Sequence, residues 1–389
     1  MLRFLTAGES HGMALTAIIE GLPAGLVIKD SDINTMLARR QNCYGRGNRM
    51  KKIEKDRVII TGGLRHGATI GSPLSLYLEN KDWLNRKDKN PSARKIPRPG
   101  HADLAGALKY GFEDIQNVIE RSSARETAIR TAVGTVTEIL LAEFGIIVTG
   151  HVIKIGRKAA SVSNLNMDRF RNQVCSSPVY CADPKGSKAM CAEIDKAKSQ
   201  GDTLGGIFEV VACNVPIGLG SFVHWDRRLD GKLAQVIMSI PSVKAVEIGE
   251  GFKACSLPGS RVHDRLYEKN DAIIRRTNRA GGIEGGVSNG DTIIVRGYAK
   301  PISSLRNPLS SVNLETMQET KAPYVRSDVC IVPAASVIGE ALVSWVIAER
   351  LVEKFGGDSV KEMRNNYEAF MNNTNRRVGR SNDLPQRRA

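Results

Sequence analysis

The chain contains 389 residues, of which 41% are hydrophobic, so it can fill the core of one large domain or two ordinary ones, which excludes a disordered chain. Its formal net charge of +15 at pH 7 indicates an anionic partner. No run approaches the roughly 18 consecutive apolar residues of a membrane span, and the first residues lack the pattern of a secretion signal, so we expect a cytoplasmic protein with no membrane contact.

Apolar runs and helical patterns together predict an α+β fold, in one domain over residues 1–375 because no linker divides the chain. Apolar runs bounded by Gly, Pro or Asn predict strands near Leu26 and from Arg57, Pro73, Gly206, Val243 and Asp291. Several of these strands are expected to pair as antiparallel hairpins. Apolar residues at helical spacing predict helices over Ser31–Arg40, Ala102–Phe112, Ser123–Phe144, Asp230–Ile240 and Ala334–Phe355.

Two segments are expected to lie at the periphery of this domain. Residues 158–200 are polar and irregular, which predicts a surface insertion. Residues 376–389 end in the basic sequence RSNDLPQRRA, which predicts a flexible tail.

Metal and nucleic acid are the two partner classes that the composition disfavours. The seven cysteines are irregularly spaced and include no C-x-x-C pair, so neither a zinc site nor a disulfide framework is indicated. Basic residues cluster between Met36 and Arg57, but aromatic residues make up only 5% of the chain, whereas nucleic-acid readers generally combine the two. Arginine dominates this cluster and favours bidentate contacts to phosphate or carboxylate. A small polyanion therefore fits at least as well as nucleic acid.

The segment Gly8-Glu9-Ser10-His11-Gly12 matches the G-x-S-x-G pattern of a serine hydrolase. That pattern requires a strand within a sheet before the serine, and the preceding LRFLTA lies at the extreme N-terminus, where no sheet precedes it. A second interpretation makes His11 the chemical residue and Ser10 a neighbour that binds a ligand. The pattern alone does not decide between the two.

The segment ERSSARET predicts an anion site at the start of the Ser123 helix. Ser123 and Glu126 have the spacing of a capping box, which fixes that start. Arg121, Ser122 and Arg125 surround it, and the unpaired N–H groups of a first helical turn attract phosphate. Simple capping with solvated arginines is the alternative, but two serines and two arginines in five residues favour phosphate.

The segment RPGHAD places Arg98 and His101 on a Pro-Gly turn that leads into a helix. A single histidine is more often a structural hydrogen-bonder than a catalytic group. Of the six histidines, however, His11 and His101 are the two on glycine-flanked turns beside charged motifs. Histidine has a pKa of about 6.5 and donates protons near neutral pH, so the pair indicates acid chemistry next to an anion.

Three motifs in the second half of the chain give weaker signals. GGIEGGVSNGD fits neither a dinucleotide fingerprint nor a P-loop, and its glycines predict either close approach to a flat ligand or a tight connection. KPISS, from Lys300, ends a strand with a cation and two hydroxyl groups, which makes it a further candidate phosphate site. Arg326 and Asp328 share a face if the segment is extended, and this pair alone favours a surface ion pair.

Taken together, the motifs resemble the chorismate synthase family. GESHG, RRQNCYGRG, RPGHADLAGALKYG, RSSARET, VKAVEIGEGF, GGIEGG, KPISS and RSD stand in that family's order and approximate spacing, from Leu2 to about Phe355. The resemblance implies a 1,4-anti elimination of phosphate from 5-enolpyruvylshikimate 3-phosphate to give chorismate, the last common step of the shikimate pathway. It also implies reduced FMN without net redox change, a β-α-β sandwich with helices between antiparallel sheets, and a homotetramer.

The resemblance also implies site residues, position by position. In this family the histidine of the first motif is catalytic, and Ser10 is no acyl-enzyme nucleophile. The implied flavin contacts are Arg121, Ser122, Ser123, Pro241, Ser242, Gly285, Lys300, Pro301, Ile302, Ser303, Ser304 and Arg326. Many relatives have Asn-Ala where this chain has Pro241-Ser242, so a backbone contact is expected there. The implied contacts to substrate phosphate or NADP are Arg40 and Arg46, with Arg49, Arg98 and Arg125 completing an anion cage.

Roles follow from the same resemblance. His11 protonates or stabilises the departing phosphate, His101 is the proton donor beside the reduced flavin, and Asp328 helps the flavin accept the substrate proton. The chain has no G-x-G-x-x-G fingerprint and no extra segment beyond residues 158–200. We therefore expect a monofunctional enzyme that receives reduced flavin from an external reductase, with NADPH only as an indirect reductant.

Overall fold

The computed structural model describes residues 1–47, 56–81, 83, 92–161, 166–324 and 328–378. Its strands, in chain order, are β1 (Arg3–Gly8), β2 (Ala14–Glu20), β3 (Val58–Gly62), β4 (Leu64–Arg65), β5 (Ala68–Thr69), β6 (Leu74–Glu79), β7 (Ile147–Ile155), β8 (Lys158–Ala159), β9 (Gly206–Cys213), β10 (Val243–Ile248), β11 (Leu266–Lys269), β12 (Ala272–Arg275), β13 (Ile283–Glu284), β14 (Val287–Ser288), β15 (Ile293–Ala299), β16 (Ser310–Val312) and β17 (Glu319–Lys321). Its helices are α1 (Asp30–Gln41), α2 (Asp103–Tyr110), α3 (Gln116–Ser122), α4 (Thr127–Ala142), α5 (Met167–Ser176), α6 (Pro184–Ser199), α7 (Leu229–Met238), α8 (Gly251–Ala254), α9 (Gly259–Val262), α10 (Val332–Phe355) and α11 (Val360–Val378).

Two antiparallel sheets form the outer layers of the fold. One has the strand order β1-β2-β6-β3, and the other has the order β10-β15-β9-β7-β8. Helices α1, α4 and α10 lie between them: α4 contacts β2, β6 and β7, and α10 packs on α4, β7 and β9. The fold is therefore an α+β domain of the predicted sandwich type, with helices packed between antiparallel sheets.

Helix α10 is the central element of the core. By length and composition this helix could cross a membrane, but 94% of its most apolar 18-residue stretch is buried inside the protein, as in the core helix of a folded domain. Two glycines let neighbouring elements approach its backbone. A Cβ on Gly134 of α4 would lie 2.2 Å from the carbonyl oxygen of Ala341, and one on Gly150 of β7 would lie 2.1 Å from that of Ser336. Only a residue without a Cβ allows these contacts.

The five predicted helices are present with slightly shifted ends, but two local predictions need correction. The helix expected from Ser123 starts as a 3-10 turn over Ala124–Glu126, and Ser123 Oγ accepts the N–H of Arg125 at 3.2 Å rather than that of Glu126. The strand predicted near Leu26 is reduced to one antiparallel bridge between Val27 and Ala68 of β5. Beside this bridge the backbone N–H of Leu26 donates to the Thr69 side chain at 2.9 Å, which interrupts the backbone pairing.

Most of the described residues in segment 158–200 are helical rather than irregular. It contains α5 and α6, which are anchored in the protein by the buried side chains Phe170, Val174, Met190 and Ile194. The sequence Asp183-Pro184 is a signal for the start of α6, because aspartate is a common cap and proline is common in a first helical turn. In the structure Asp183 accepts the N–H of Lys185 and Pro184 occupies the first turn. That the segment is an insertion stays a prediction. Of the predicted tail, residues 376–378 end α11, and residues 379–389 lie outside the described part of the chain.

Candidate active site

His11 lies on the turn between β1 and β2. Glycine is required where this turn begins, since Gly8 has a φ of +105° and a Cβ there would lie 2.2 Å from the carbonyl oxygen of Ala14. Glu120 of α3 holds the turn with both carboxylate oxygens: Oε1 lies 2.9 Å from His11 Nδ1, and Oε2 accepts the backbone N–H of His11 at 2.8 Å. Burial alone raises the pKa of Glu120, but hydrogen bonds from His11 and Gln116 outweigh it and lower that pKa. A charged carboxylate therefore faces Nδ1.

Ser10 shares this turn but contacts the wrong partner for a nucleophile. Its hydroxyl donates to Ser123 Oγ at 3.1 Å, and its N–H donates to the carbonyl oxygen of Glu120 at 2.8 Å. A serine hydrolase needs a histidine base within hydrogen-bond reach of the serine. In the described part of the chain the Ser10 hydroxyl meets a second serine instead, so the geometry does not support the hydrolase interpretation.

Arg125 of the 3-10 turn contacts two buried partners, and one of them, Asn80, connects it to the His11 turn. Its Nη1 lies 2.7 Å from each carboxylate oxygen of Asp56, and its Nε donates to Asn80 Oδ1 at 2.8 Å. Asn80 in turn donates to the carbonyl oxygens of Glu9 at 3.0 Å and Gly12 at 2.8 Å. Asn80 therefore fixes the guanidinium group next to the His11 turn.

Arg40 is the most deeply buried of the predicted arginines that the structure describes, with 2% of its side chain exposed. It donates to Thr127 Oγ1 at 3.1 and 2.9 Å and to the carbonyl oxygen of Ala124 at 3.0 Å, and it lies 3.7 Å from Asp56. Asp56 is thus shared by Arg40 and Arg125. These contacts join the end of α1 to the start of α4.

Asp328 pairs with Arg46, and its second carboxylate oxygen accepts the N–H of Gly47 at 2.8 Å. Arg46 also donates to the carbonyl oxygen of Arg40 at 3.0 Å. Burial acts to lower the pKa of Arg46, but the charge of Asp328 outweighs it and raises that pKa, so the guanidinium stays charged. The structure thus brings Asp328, Arg46 and Arg40 together. The predicted Arg49 and Arg326 lie outside the described residues.

His101 follows a turn at Gly100, whose φ is +74°, just before α2. Its Nδ1 lies 2.5 Å from Asp103 Oδ1. Arg98 donates to the same carboxylate through Nε at 2.8 Å, and through Nη2 and its backbone N–H at 3.0 Å each. Burial alone raises the pKa of Asp103, but the hydrogen bonds from His101 and Arg98 hold it well below its usual range. One buried carboxylate therefore fixes both candidate side chains.

The KPISS segment packs against the turn that carries the second histidine. Lys300 Nζ and Ser303 Oγ both donate to the carbonyl oxygen of Gly100, at 2.9 and 2.8 Å, and lie 3.0 Å from each other. Burial lowers the pKa of Lys300. The N–H of Lys300 donates to the carbonyl oxygen of Ser242 at 2.9 Å, so the predicted Pro241-Ser242 pair adjoins this segment.

Residues 203–204 connect the KPISS segment with the one that carries Asp328. Thr203 Oγ1 donates to the carbonyl oxygen of Ile302 at 2.8 Å, and the N–H of Leu204 donates to the carbonyl oxygen of Val329 at 2.9 Å. Two motifs are thereby held against one short loop, and the separation in sequence between Thr203 of this loop and Ile302 is 99 residues.

The remaining predicted cofactor residues differ in their surroundings. Arg121 donates to the carbonyl oxygens of Gly8 at 3.1 Å and Thr6 at 3.2 Å, which ties α3 to β1. Ser122 Oγ is buried, and no hydrogen-bond partner reaches it from the described residues. Gly285 lies in the turn between β13 and β14, where a Cβ would meet no described atom within 4 Å. A buried hydroxyl and an accessible turn are both compatible with a bound ligand.

Three carboxylates and one amide hold the candidate side chains and were not predicted from the sequence. Glu120 and Asp103 each contact a histidine, Asp56 contacts two arginines, and Asn80 supports the His11 turn. Glu120 and Asp103 stood inside the motifs ERSSARET and RPGHAD, so their position beside functional residues was a usable signal. Asp56 and Asn80 stand outside those motifs, and no comparable signal marked them.

Known proteins are similar to this chain in sequence and in fold over most of its length. A family model described as chorismate synthase matches residues 2–352. The chorismate synthase of Moorella thermoacetica is 52% identical over 379 residues, covering 95% of this chain and 98% of the relative. That of Geobacter sulfurreducens is 50% identical over 388 residues, covering 95% and 98%. A solved crystal structure of chorismate synthase matches with a TM-score of 0.79 and 40% identity, covering 96% of this chain and 98% of the other. The chain therefore belongs to the chorismate synthase family.

Proposed function

We propose that the protein is a carbon–oxygen lyase that converts 5-enolpyruvylshikimate 3-phosphate to chorismate by 1,4-anti elimination of phosphate. One C–O bond and one C–H bond break, a second ring double bond forms, and phosphate and a proton leave, so the reaction involves no net redox change. Family membership supports the activity. The observation that carries the site is the Glu120 carboxylate, which joins His11 to the segment with Arg121, Ser122 and Ser123.

We assign substrate binding to the arginine cluster, because the substrate carries a phosphate and two carboxylates. Arginine stays charged in a water-poor site and binds oxyanions through paired hydrogen bonds. Asp56, Asp103 and Asp328 hold Arg125, Arg98 and Arg46 in place before any anion binds, which reduces the reorganisation needed during the reaction. Arg49 belongs to the same proposed cage by its position in the sequence.

Arg40 and Arg46 have different parts in this proposal. Arg40 is 2% exposed and donates to Thr127 and Ala124, which favours positioning of the α4 start over contact with a dinucleotide such as NADP. Arg46 is the better candidate for the substrate phosphate, because a bound phosphate can share its guanidinium with Asp328.

The proton steps are assigned to three side chains. His11 holds a proton at Nε2, the ring nitrogen opposite the one that contacts Glu120, and delivers it to the departing phosphate oxygen. His101, fixed by Asp103, is the second acid of the site. Asp328, held by Arg46, assists removal of the substrate proton. Each such proton transfer contributes roughly 10² to 10⁴ in rate in enzymes generally.

The requirement for reduced FMN is part of the proposal, and the residues present fit this group. Ser122 Oγ is a buried hydroxyl that lacks a partner among the described residues, Lys300 Nζ offers a cation for the flavin phosphate, and the Gly285 turn allows a flat group to approach the backbone. When bound, reduced FMN supplies a reversible source of electron density for C–O cleavage. The residues that would hold it are Arg121, Ser122, Ser123, Pro241, Ser242, Gly285, Lys300, Pro301, Ile302, Ser303, Ser304 and Arg326.

Three further properties belong to the same proposal. The enzyme is monofunctional and takes reduced flavin from a separate reductase, because the chain has 389 residues with only the modest polar stretch at 158–200 as an extra segment, and because Arg40 and Arg46 crowd beside the proposed substrate cage. We also propose that it acts in the cytoplasm and that it assembles as a homotetramer, the latter as its family resemblance implies.

The proposed function is tested by an anaerobic assay with 5-enolpyruvylshikimate 3-phosphate and FMN reduced by dithionite. We expect phosphate and chorismate to appear in equal amounts, and neither product to form with oxidised FMN. A parallel incubation with a fluorophosphonate tests the hydrolase interpretation, and we expect no labelling of Ser10. Absence of both products, or labelling of Ser10, would contradict the proposal.

A further inference from the structure

Glu120 makes two different contacts to one residue. Its Oε2 accepts the backbone N–H of His11 at 2.8 Å, and its Oε1 lies 2.9 Å from Nδ1 of the same residue. The amide nitrogen of Gln116 donates to the same Oε1 and lies 3.4 Å from Nδ1, a longer contact than that of the carboxylate. A charged carboxylate can only accept hydrogen bonds, so the shorter contact requires Nδ1 to carry the proton. The remaining ring nitrogen, Nε2, is directed away from Glu120.

We propose that Glu120 is a positioning residue that fixes His11 in the form protonated at Nδ1, so that Nε2 is the nitrogen available to the reactants. The proposal rests on the proposed role of His11 as the acid that protonates the departing phosphate. An acid of this kind works from the doubly protonated ring, loses the proton from Nε2 and keeps the one on Nδ1. Glu120 stabilises the starting and the final forms of that step.

A carboxylate also contacts Nδ1 of the second histidine, although it accepts the backbone N–H of Arg98 rather than that of His101. Asp103 Oδ1 lies 2.5 Å from Nδ1 of His101, while Arg98 donates to both oxygens of Asp103 and its Nη2 lies 3.2 Å from each ring nitrogen of His101. Both candidate acids are therefore held through Nδ1 by a carboxylate that begins or belongs to a helix. Glu120 is the better position to test, because its side chain is 20% exposed whereas that of Asp103 is 1% exposed.

The variant Glu120→Gln changes which ring nitrogen of His11 carries the proton in the neutral form. A glutamine has one accepting oxygen and one NH2 group that only donates. Two donors face this side chain: the backbone N–H of His11, which cannot turn away, and the Gln116 amide, which can rotate to present its own oxygen. The oxygen of the new glutamine therefore goes to the backbone N–H. The NH2 group then faces Nδ1, which must accept a hydrogen bond and give up its proton. We expect the neutral ring to carry its proton on Nε2 in this variant.

This reversal removes the acid function while leaving the side chain in place. A neutral ring protonated only at Nε2 would become an imidazolate anion on losing that proton, which is unfavourable near neutral pH. The doubly protonated ring is disfavoured as well, because its Nδ1–H would face a donor. We therefore expect kcat to fall by about 10²-fold while KM changes less than about 3-fold.

The test combines NMR spectroscopy with kinetics on the full-length protein. Labelling with 15N-histidine gives signals from six side chains, and the His11 signals are those that disappear in His11→Ala. We expect the Nδ1-protonated form in the wild type and the Nε2-protonated form in Glu120→Gln. The matched control is Glu113→Gln, an exposed glutamate in the residues just before α3, which we expect to match the wild type in both measurements.

A double-mutant comparison separates positioning from a general structural effect. If Glu120 acts through His11, then Glu120→Gln has no further effect on the kcat of His11→Ala. A wild-type tautomer in Glu120→Gln, or a further drop of about 10²-fold in the His11→Ala background, would overturn the proposal. If the wild type forms no chorismate, the proposed function fails, while the NMR result still decides whether Glu120 sets the tautomer.

Discussion

Asp56 is the group on which the arginine cluster depends, because its side chain is 2% exposed and contacts both Arg125 and Arg40. The variant Asp56→Asn keeps the shape but leaves two buried guanidinium groups facing a neutral amide. Removing one partner of a buried ion pair costs about 3–5 kcal/mol. An unfolding entropy of about 2.1 cal/mol/K per residue gives about 0.8 kcal/mol/K for 389 residues, so we expect Tm to fall by about 4–6 °C.

Thermal unfolding followed by circular dichroism, together with urea unfolding, measures this loss. The matched control is Asp195→Asn, whose exposed carboxylate accepts the Tyr44 hydroxyl at 2.8 Å and whose loss we expect to cost less than about 0.5 kcal/mol. A Tm for Asp56→Asn equal to that of the control would refute the account of Asp56 as the shared counter-charge of the cluster.

Three further predictions concern the core, the pH dependence and the source of electrons. Gly134→Ala forces a Cβ to within 2.2 Å of a backbone oxygen of α10, so we expect the free energy of unfolding to fall by about 1–3 kcal/mol or more. Gly231→Ala, on the exposed face of α7, should instead raise that free energy by up to about 1 kcal/mol. Equal effects of the two variants in urea unfolding would contradict this prediction. The pKa of Asp103 lies below its ordinary value of 3.8 in the folded protein, so the contribution of Asp103 to stability is complete above pH 3.8 and is lost as the pH falls below that value. We therefore expect Asp103→Asn to flatten the decline of the unfolding free energy at low pH, and an unchanged decline would contradict this expectation. With FMN, substrate and NADPH but no reductase or dithionite, we expect no chorismate above background under anaerobic conditions, and sustained formation would show that the enzyme reduces its own flavin.

The long helices and the sheet strands with clear apolar patterns could be predicted from the sequence. Helix α10 and strand β15 were found because their apolar runs are long and bounded. Strand β7 was missed, since Gly150 and His151 interrupt its pattern, and both are buried only because of tertiary contacts. Gly150 lies against the backbone of α10, and His151 contacts Glu209 on the neighbouring strand at 2.9 Å. Neither contact has a local signature.

The candidate site could be predicted as a set of motifs but not as a geometry. Resemblance and residue chemistry selected His11, His101 and the arginines, which carry recognisable charge and spacing. The partners of these residues depend on contacts across the fold: Arg125 meets Asp56 and Asn80, which are 69 and 45 residues away in sequence. Pairings at such distances follow from the strand order and helix packing, which no local pattern specifies.

The two-histidine account of the reaction is tested most directly by measuring phosphate release and chorismate formation together, anaerobically with reduced FMN, in the wild type, His11→Ala and His101→Ala. Both side chains are partly exposed, at 21% and 23%, so their removal leaves the core intact, and circular dichroism will confirm that the variants are folded. We expect one phosphate per chorismate in the wild type and a fall in kcat of about 10² to 10⁴ in each variant. Turnover at the wild-type rate in a folded variant would contradict the role assigned to that histidine, and phosphate release without chorismate would contradict the reaction itself.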